Sequence, residues 1–206
     1  MKVLIINGSP HQKGCTYTAL DEVRKTLEES GIETEMFWIG TKPVGGCIAC
    51  GNCGNAGMCV FEDMVNQIHR RLPEFDGIVV GSPVYFGGIS GQLKSFLDRL
   101  FQSALYEFSG KAAAGIVSCR RGGASTAFQS LNMYFTISNM TVIGSQYWNQ
   151  VHGFTPEDVQ KDQEGLQTMR TLGQNMAYTL HNIEAGKRAG VAAPKYEERQ
   201  WTHFIR

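Results

Sequence analysis

The sequence predicts an α/β fold: a doubly wound, five-stranded parallel sheet with right-handed crossovers and helices on both faces. Three observations predict it. Short apolar runs at Lys2–Ile6, Ile32–Ile39, Asp76–Pro83, Lys111–Ser118 and Met140–Ile143 read as strands, the earlier ones rich in the β-branched residues of buried parallel strands. Segments with apolar residues at helical spacing alternate with them. Loops of small residues follow the first, third and fourth runs, all at the carboxyl edge of the sheet, where such folds take ligands.

The elements follow in order. The first helix carries Leu20–Leu27 and ends at Gly31. After the second strand, a glycine- and cysteine-rich insertion from Gly40 to Phe61 has no periodicity. Glu62–Leu72 reads as a helix, with acids at its start and bases at its end, as the helix dipole prefers. Gln92–Leu105 is helical through Leu93, Phe96, Leu97, Leu100 and Phe101. A loop at Cys119–Thr126 precedes a helix ending near Asn139. Gly144–Phe154 is irregular and aromatic. Thr155 caps a last helix, with Pro156 at its first position, that runs to about Ala185; Gly165 and Gly173 are where it would weaken or bend. The tail ends in Trp201-Thr202-His203-Phe204-Ile205-Arg206, an aromatic terminus expected to dock on its own body or on a neighbouring subunit. No repeat or linker divides the chain, so residues 1–206 read as one domain, with a cysteine-rich loop at 45–60 and a C-terminal helix and tail at 155–206.

The totals exclude several functions. The chain has 206 residues, with 19 lysines and arginines against 19 aspartates and glutamates, hence no net charge. That speaks against nucleic acid or an anionic membrane as partner. No stretch is a secretory or membrane-spanning segment, so a cytoplasmic protein is expected. Six cysteines in that compartment are read for metal or redox chemistry rather than for a disulfide framework.

The loop Asn7-Gly8-Ser9-Pro10-His11-Gln12-Lys13-Gly14-Cys15-Thr16-Tyr17-Thr18 joins the first strand to the first helix. Helix-start N–H groups lack internal partners and lie at the positive end of the dipole, so an anion such as phosphate is welcome there. Ser9, Thr16 and Thr18 add hydroxyls. A Walker loop is excluded because Cys15 stands where its lysine should be, and the dinucleotide G-x-G-x-x-G spacing is missing. The alternative is an ordinary turn that binds nothing. After the third strand, Pro83-Val84-Tyr85-Phe86-Gly87-Gly88 offers adjacent aromatics and exposed backbone, suited to a planar heterocycle; the alternative is a tight turn covering core.

Together these segments resemble the NADPH-dependent FMN reductases of the flavodoxin-like superfold, over most of the chain. The resemblance rests on Gly8-Ser9-Pro10 through Gly14-Cys15-Thr16, on Gly81-Ser82-Pro83-Val84-Tyr85-Phe86-Gly87, and on the glycine-rich loop after the fourth strand. It implies strand order 2-1-3-4-5 and an FMN-dependent NAD(P)H oxidoreductase. Ser9, Cys15, Thr16 and Thr18 would surround the FMN phosphate, with His11 and Tyr17 beside them. Cys15 stands where the family often has asparagine, so only its backbone N–H is carried over. Pro83, Val84, Tyr85, Phe86 and Gly87 would border the isoalloxazine ring, and Ser118, Gly122 and Gly123 its far edge. Tyr147-Trp148-Asn149-Gln150 would lie near the ring or across a dimer interface. No acid–base residue is required, because the flavin carries the chemistry. The acceptor implied is a quinone, an azo or nitro compound, free flavin or a redox protein; relatives are often dimers or tetramers.

Cys47, Cys50, Cys53 and Cys59 form C-x2-C-x2-C-x5-C on a glycine-rich loop. Compact runs of this kind wrap cubane clusters, and the motif resembles the ligand set of the iron–sulfur flavoproteins, a branch of the same family, which implies a [4Fe-4S] cluster. Zinc and a metal-free loop that forms a disulfide on oxidation are the alternatives. Two other readings of the whole chain stay open. One is a flavodoxin-type electron carrier, although such carriers are commonly very acidic. The other is a redox- or metal-sensing module built on the cysteines. His69 reads as structural at a helix end; His11, His152, Arg120 and Arg121 read equally as ligand contacts or solvated groups, and Cys119 as a buried small residue.

Overall fold

Alternation along the strands decides which helix covers which face. In β1 (Lys2–Asn7), Val3 and Ile5 point to one side and Leu4 and Ile6 to the other, and all four are fully buried. The first pair packs under α1 (Cys15–Glu29), through Leu20, Val23 and Leu27, and under α7 (Gln163–Arg188), through Met169, Leu172 and Met176. The second pair packs under α3 (Met64–Arg71), α4 (Gly91–Ser103) and α5 (Ala124–Ile137), through Ile68, Phe96, Leu97, Leu100, Leu131 and Phe135. Each such side chain contributes about 1.5–3 kcal/mol of burial. The computed structural model describes residues 1–205, and Arg206 lies outside the described residues.

The parallel ladder runs β2 (Glu33–Trp38), β1, β3 (Gly77–Tyr85), β5 (Ala112–Cys119) and β6 (Thr141–Val142). This is the doubly wound α/β sheet expected, with two corrections. The sheet has seven strands rather than five, so the expected fourth and fifth strands are β5 and β6 and the order is 2-1-3-5-6. β4 (Gly88–Ile89) folds back antiparallel on the end of β3. β6 pairs only with Ala112 and Ala113, which leaves the upper half of β5 open; β7 (Gln150–His152) fills it, pairing with Val117–Cys119.

The last helix is also broken, at neither glycine. Thr155 and Asp158 form a capping box for α6 (Pro156–Lys161), and the chain restarts as α7 after Asp162. The Asp162 carboxylate accepts from the Gly165 amide at 2.9 Å and the His152 amide at 2.6 Å, so it caps the second helix and ties it to β7. α7 runs through Gly173, which packs closely on Thr26 of α1. The helix expected from Glu62 starts at Met64, because Asp63 caps it by accepting from the Val65 amide at 3.0 Å. Inside the cysteine-rich insertion a short helix, α2 (Asn52–Ala56), lies between Gly51 and Gly57, both with positive φ. Trp201, Phe204 and Ile205 are exposed, so the aromatic end of the described tail does not pack on the body. No helix among the described residues is long and apolar enough to cross a membrane.

Candidate functional site

The β1–α1 loop is held open by its own polar groups. Asn7, buried at the strand end, accepts the Ser9 amide at 3.1 Å and donates to the Gln12 carbonyl at 3.0 Å. Ser9 Oγ accepts the His11 amide at 3.1 Å, and the Trp38 indole donates to the Ser9 carbonyl at 2.8 Å. Gly8 donates to the Gly81 carbonyl at 2.9 Å, and a Cβ on it would stand 2.5 Å from Leu93, so only glycine lets the loop pass this close to β3 and α4. α1 then starts at Cys15 with no side-chain cap, which leaves its first-turn amides facing the loop. At that point Thr16, 1% exposed, shares a 2.8 Å hydrogen bond with Ser118 at the end of β5.

The other residues expected here take separate places. The Thr18 hydroxyl donates back to the Gly14 carbonyl at 3.3 Å, and the Tyr17 hydroxyl to Asp21 at 3.5 Å. Cys15 faces the Gly153 carbonyl at 3.8 Å, and burial pushes its thiol pKa up. The His11 side chain is exposed on the loop, and Arg120 and Arg121 are exposed after β5. His69 is structural: it is buried between Ser103 (3.1 Å) and Glu107 (2.6 Å). Cys119 is buried, as read.

The aromatic segment is a hairpin turn rather than a loop. Phe86 and Gly87 have φ of 50° and 77°, the left-handed pair that a two-residue turn between β3 and β4 uses. Phe86 is fully exposed and Tyr85 44% exposed, so neither covers core. Gly123 (φ 86°), before α5, sits against this turn: a Cβ there would stand 2.9 Å from Gly87 Cα and 3.0 Å from Val84. Pro83 and Ser118 are register partners on β3 and β5, and Gly122 is exposed next to Gly123. Tyr147 and Trp148 pack against each other at a tilt and are half exposed, and Gln150 Oε1 is buried with no hydrogen-bond partner.

The β1–α1 loop, the β3–β4 hairpin and the Gly122–Gly123 loop therefore meet at one sheet edge. Free helix-start amides and a buried hydroxyl pair fit a phosphate joined to a planar ring.

Beside α4 is a cavity of about 270 Å³, lined by Cys47, Cys50, Cys53 and Cys59, with Phe61 and Arg99. All four thiols are free, and their chemistry fits a metal–sulfur centre. Among the described residues no three His, Cys, Asp or Glu side chains are drawn together at metal-holding distance, so a metal would have to gather these sulfurs. Arg99, 2% exposed, was not legible as a site residue. Its guanidinium clasps Asp63 through two hydrogen bonds, at 2.7 and 2.9 Å, and donates from Nε to Cys59 Sγ at 3.2 Å. Desolvation pulls its pKa down, but the bonds to Asp63 and Cys59 outweigh this and hold it above the ordinary value.

The chain is similar to known flavoproteins. The profile of the NADPH-dependent FMN reductase family matches residues 1–155. An iron–sulfur flavoprotein of Methanocaldococcus jannaschii is 37% identical over 192 residues, covering 89% of this chain and 100% of the relative. A flavodoxin, WrbA-like protein of Agrobacterium tumefaciens superposes with a TM-score of 0.59 at 17% identity, over 88% of this chain and 96% of that one. The crystal structure of RosB, with a bound 8-demethyl-8-formylriboflavin-5'-phosphate intermediate, superposes with a TM-score of 0.69 at 16% identity, over 100% of this chain and 94% of that one. The fold is flavodoxin-like, and the family makes the protein a flavin-dependent oxidoreductase that uses FMN. The chain belongs to the NADPH-dependent FMN reductase family, on the branch that the iron–sulfur flavoproteins represent.

Proposed function

We propose that the protein is an NAD(P)H oxidoreductase whose FMN is bound at the carboxyl edge and serves a small acceptor, such as a quinone, an azo or nitro compound or free flavin, or a redox protein reached through an iron–sulfur cluster. The observation that carries the reading is the meeting of the α1 N-terminus, the Thr16–Ser118 pair and the Tyr85–Gly87 hairpin on one edge.

Bound FMN supplies hydride acceptance and single-electron chemistry. The chain's own residues bind, orient and shield it. The amides of Cys15, Thr16 and Tyr17, with Ser9 and Thr16 hydroxyls, hold the phosphate, while His11 and Thr18 flank it. Pro83, Val84, Tyr85, Phe86 and Gly87 border the ring on one side, where the aromatic surface of Tyr85 and Phe86 shields it from water; Ser118, Gly122 and Gly123 border the far edge. Cys47, Cys50, Cys53 and Cys59 would hold a [4Fe-4S] cluster. α4 links the two sites: Arg99 stands eight residues after Gly91, about 12 Å along the helix.

Residues 1–206 act as one unit in this reading, in the cytoplasm, where six free cysteines suit a reducing compartment. A homodimer or homotetramer completes it, with a second copy covering exposed Trp148, Phe154, Trp201 and Phe204.

The test is anaerobic addition of NADPH or NADH to purified protein, with iron and sulfide assayed on the same sample. Bleaching of the flavin bands by one equivalent of reductant is expected, together with a broad extra absorbance shoulder and iron. Flavin that stays oxidised would leave an electron carrier instead; absence of iron after anaerobic preparation would remove the cluster.

A further inference from the structure

Arg99 is buried, yet every polar acceptor it meets comes from the stretch that carries the cysteines. Nη1 donates to the Gly45 carbonyl at 3.3 Å and to Asp63 Oδ2 at 2.7 Å. Nη2 donates to Asp63 Oδ1 at 2.9 Å and to the Phe61 carbonyl at 3.2 Å. Nε donates to Cys59 Sγ at 3.2 Å, and the Phe61 ring centroid lies 4.9 Å from the guanidinium carbon. Gly45 stands just before Cys47, and Cys59–Asp63 closes the loop at its other end. One side chain therefore ties both ends of the cysteine loop to α4, the helix that begins directly after the Tyr85–Ile89 hairpin.

A buried ion pair is weak support for stability, because desolvation cancels much of its attraction and an apolar side chain of similar size often does as well. What the guanidinium adds is geometry: five donors in a rigid fork, always charged, reaching several acceptors at once.

We propose that Arg99 is the positioning residue of the cysteine cavity: its fork clamps Gly45, Phe61 and Asp63, and its Nε–H fixes the Cys59 sulfur as a hydrogen-bond acceptor, so that a metal–sulfur centre held there is reduced at a higher potential. The last clause rests on the reading that the loop holds such a centre. A donor and a positive charge beside a ligand sulfur favour the reduced, more negative state, and hydrogen bonds to the sulfurs are among the factors that set cluster potentials. A lysine ammonium is a point charge and cannot span these acceptors together.

The experiment compares wild type with Arg99→Lys and Arg99→Gln, all prepared anaerobically. FMN content reports that the sheet and flavin edge are intact. Hydrogen exchange over residues 45–63, measured on metal-free protein, reports the clamp; the midpoint potential of the centre, followed by EPR, reports the bond to sulfur. Exchange is expected to quicken about tenfold or more in both variants, and the potential to fall in both, with FMN content unchanged. Unchanged exchange would overturn the clamp, and an unchanged potential would overturn the role at Cys59. Wild type without iron would instead remove the metal reading and with it the potential clause, while exchange still decides the clamp. If Arg99→Gln fails to fold, Arg99→Lys, which keeps the buried charge opposite Asp63, carries the same readouts.

Discussion

Thr16 Oγ1 and Ser118 Oγ lie 2.8 Å apart, joining the first turn of α1 to the last residues of β5. Both side chains are buried, and 102 residues of sequence separate them. The pair seats the helix N-terminus against the sheet, so the loop that would grip a phosphate and the strand that would border a ring have one fixed spacing.

Thr16→Val is the first prediction. It keeps the side-chain shape but removes the hydroxyl, and leaves Ser118 buried without its partner. FMN affinity should fall about tenfold, the equivalent of one hydrogen bond, as read by titrating apoprotein with FMN and following flavin fluorescence. An unchanged dissociation constant would mean that the pair takes no part in binding.

Gly123→Ala tests the contact between the two ring-side loops. At φ 86° an alanine is strained, and its Cβ would press on Gly87 and Val84. A loss of about 1–3 kcal/mol of stability is expected, with weaker FMN binding, because the Tyr85–Gly87 hairpin must shift. Thermal melts with and without FMN separate the two effects.

Glu35 gives a pH-dependent prediction. Hydrogen bonds from Arg71, at 2.6 and 2.7 Å, and an ion pair with Lys2 at 3.0 Å hold its carboxyl at about 2, below the ordinary 4.5, against the opposing pull of desolvation. A depressed carboxylate contributes stability that is complete above about 4.5 and lost as the pH falls towards about 2. The group is partly exposed, so solvent screening reduces the effect to about 1 kcal/mol. Glu35→Gln should therefore be less stable than wild type at pH 7 by about that amount. Urea melts should show the gap closing between about 4.5 and 2; a gap independent of pH would contradict the pairing.

Replacing Phe86 with glycine should do two opposite things. Glycine relieves a non-glycine residue held at φ 50°, so apoprotein stability should rise by about 1 kcal/mol. The exposed aromatic surface at the flavin edge is lost at the same time, so FMN should bind less tightly. A variant that binds FMN as well as wild type would separate Phe86 from the ring.

Much of this was legible in the chain. β1, β3 and β5 are buried on both faces, so their apolar runs stand out, and the small-residue loops after them mark the carboxyl edge. β4 and β7 were not legible, because two or three residues give no periodicity and their pairing is fixed by what β3 and β5 leave open. The break at Asp162 depends on a carboxylate reaching both His152 and Gly165, a contact between elements rather than a local signal. Arg99 flanks the apolar stripe of Leu93, Phe96, Leu97 and Leu100, where an arginine reads as a solvent-facing charge. Its one clue was its place three residues after Phe96; its partners, Cys59 and Asp63, lie about 40 residues away in sequence.

If FMN is anchored by its phosphate at the start of α1, the same apoprotein must distinguish FMN from riboflavin. Both carry the isoalloxazine ring, and only FMN carries the phosphate. Two or more charge-assisted hydrogen bonds at the helix start predict that FMN binds about a hundredfold or more tightly than riboflavin. Equal affinities for the two flavins would contradict the anchor.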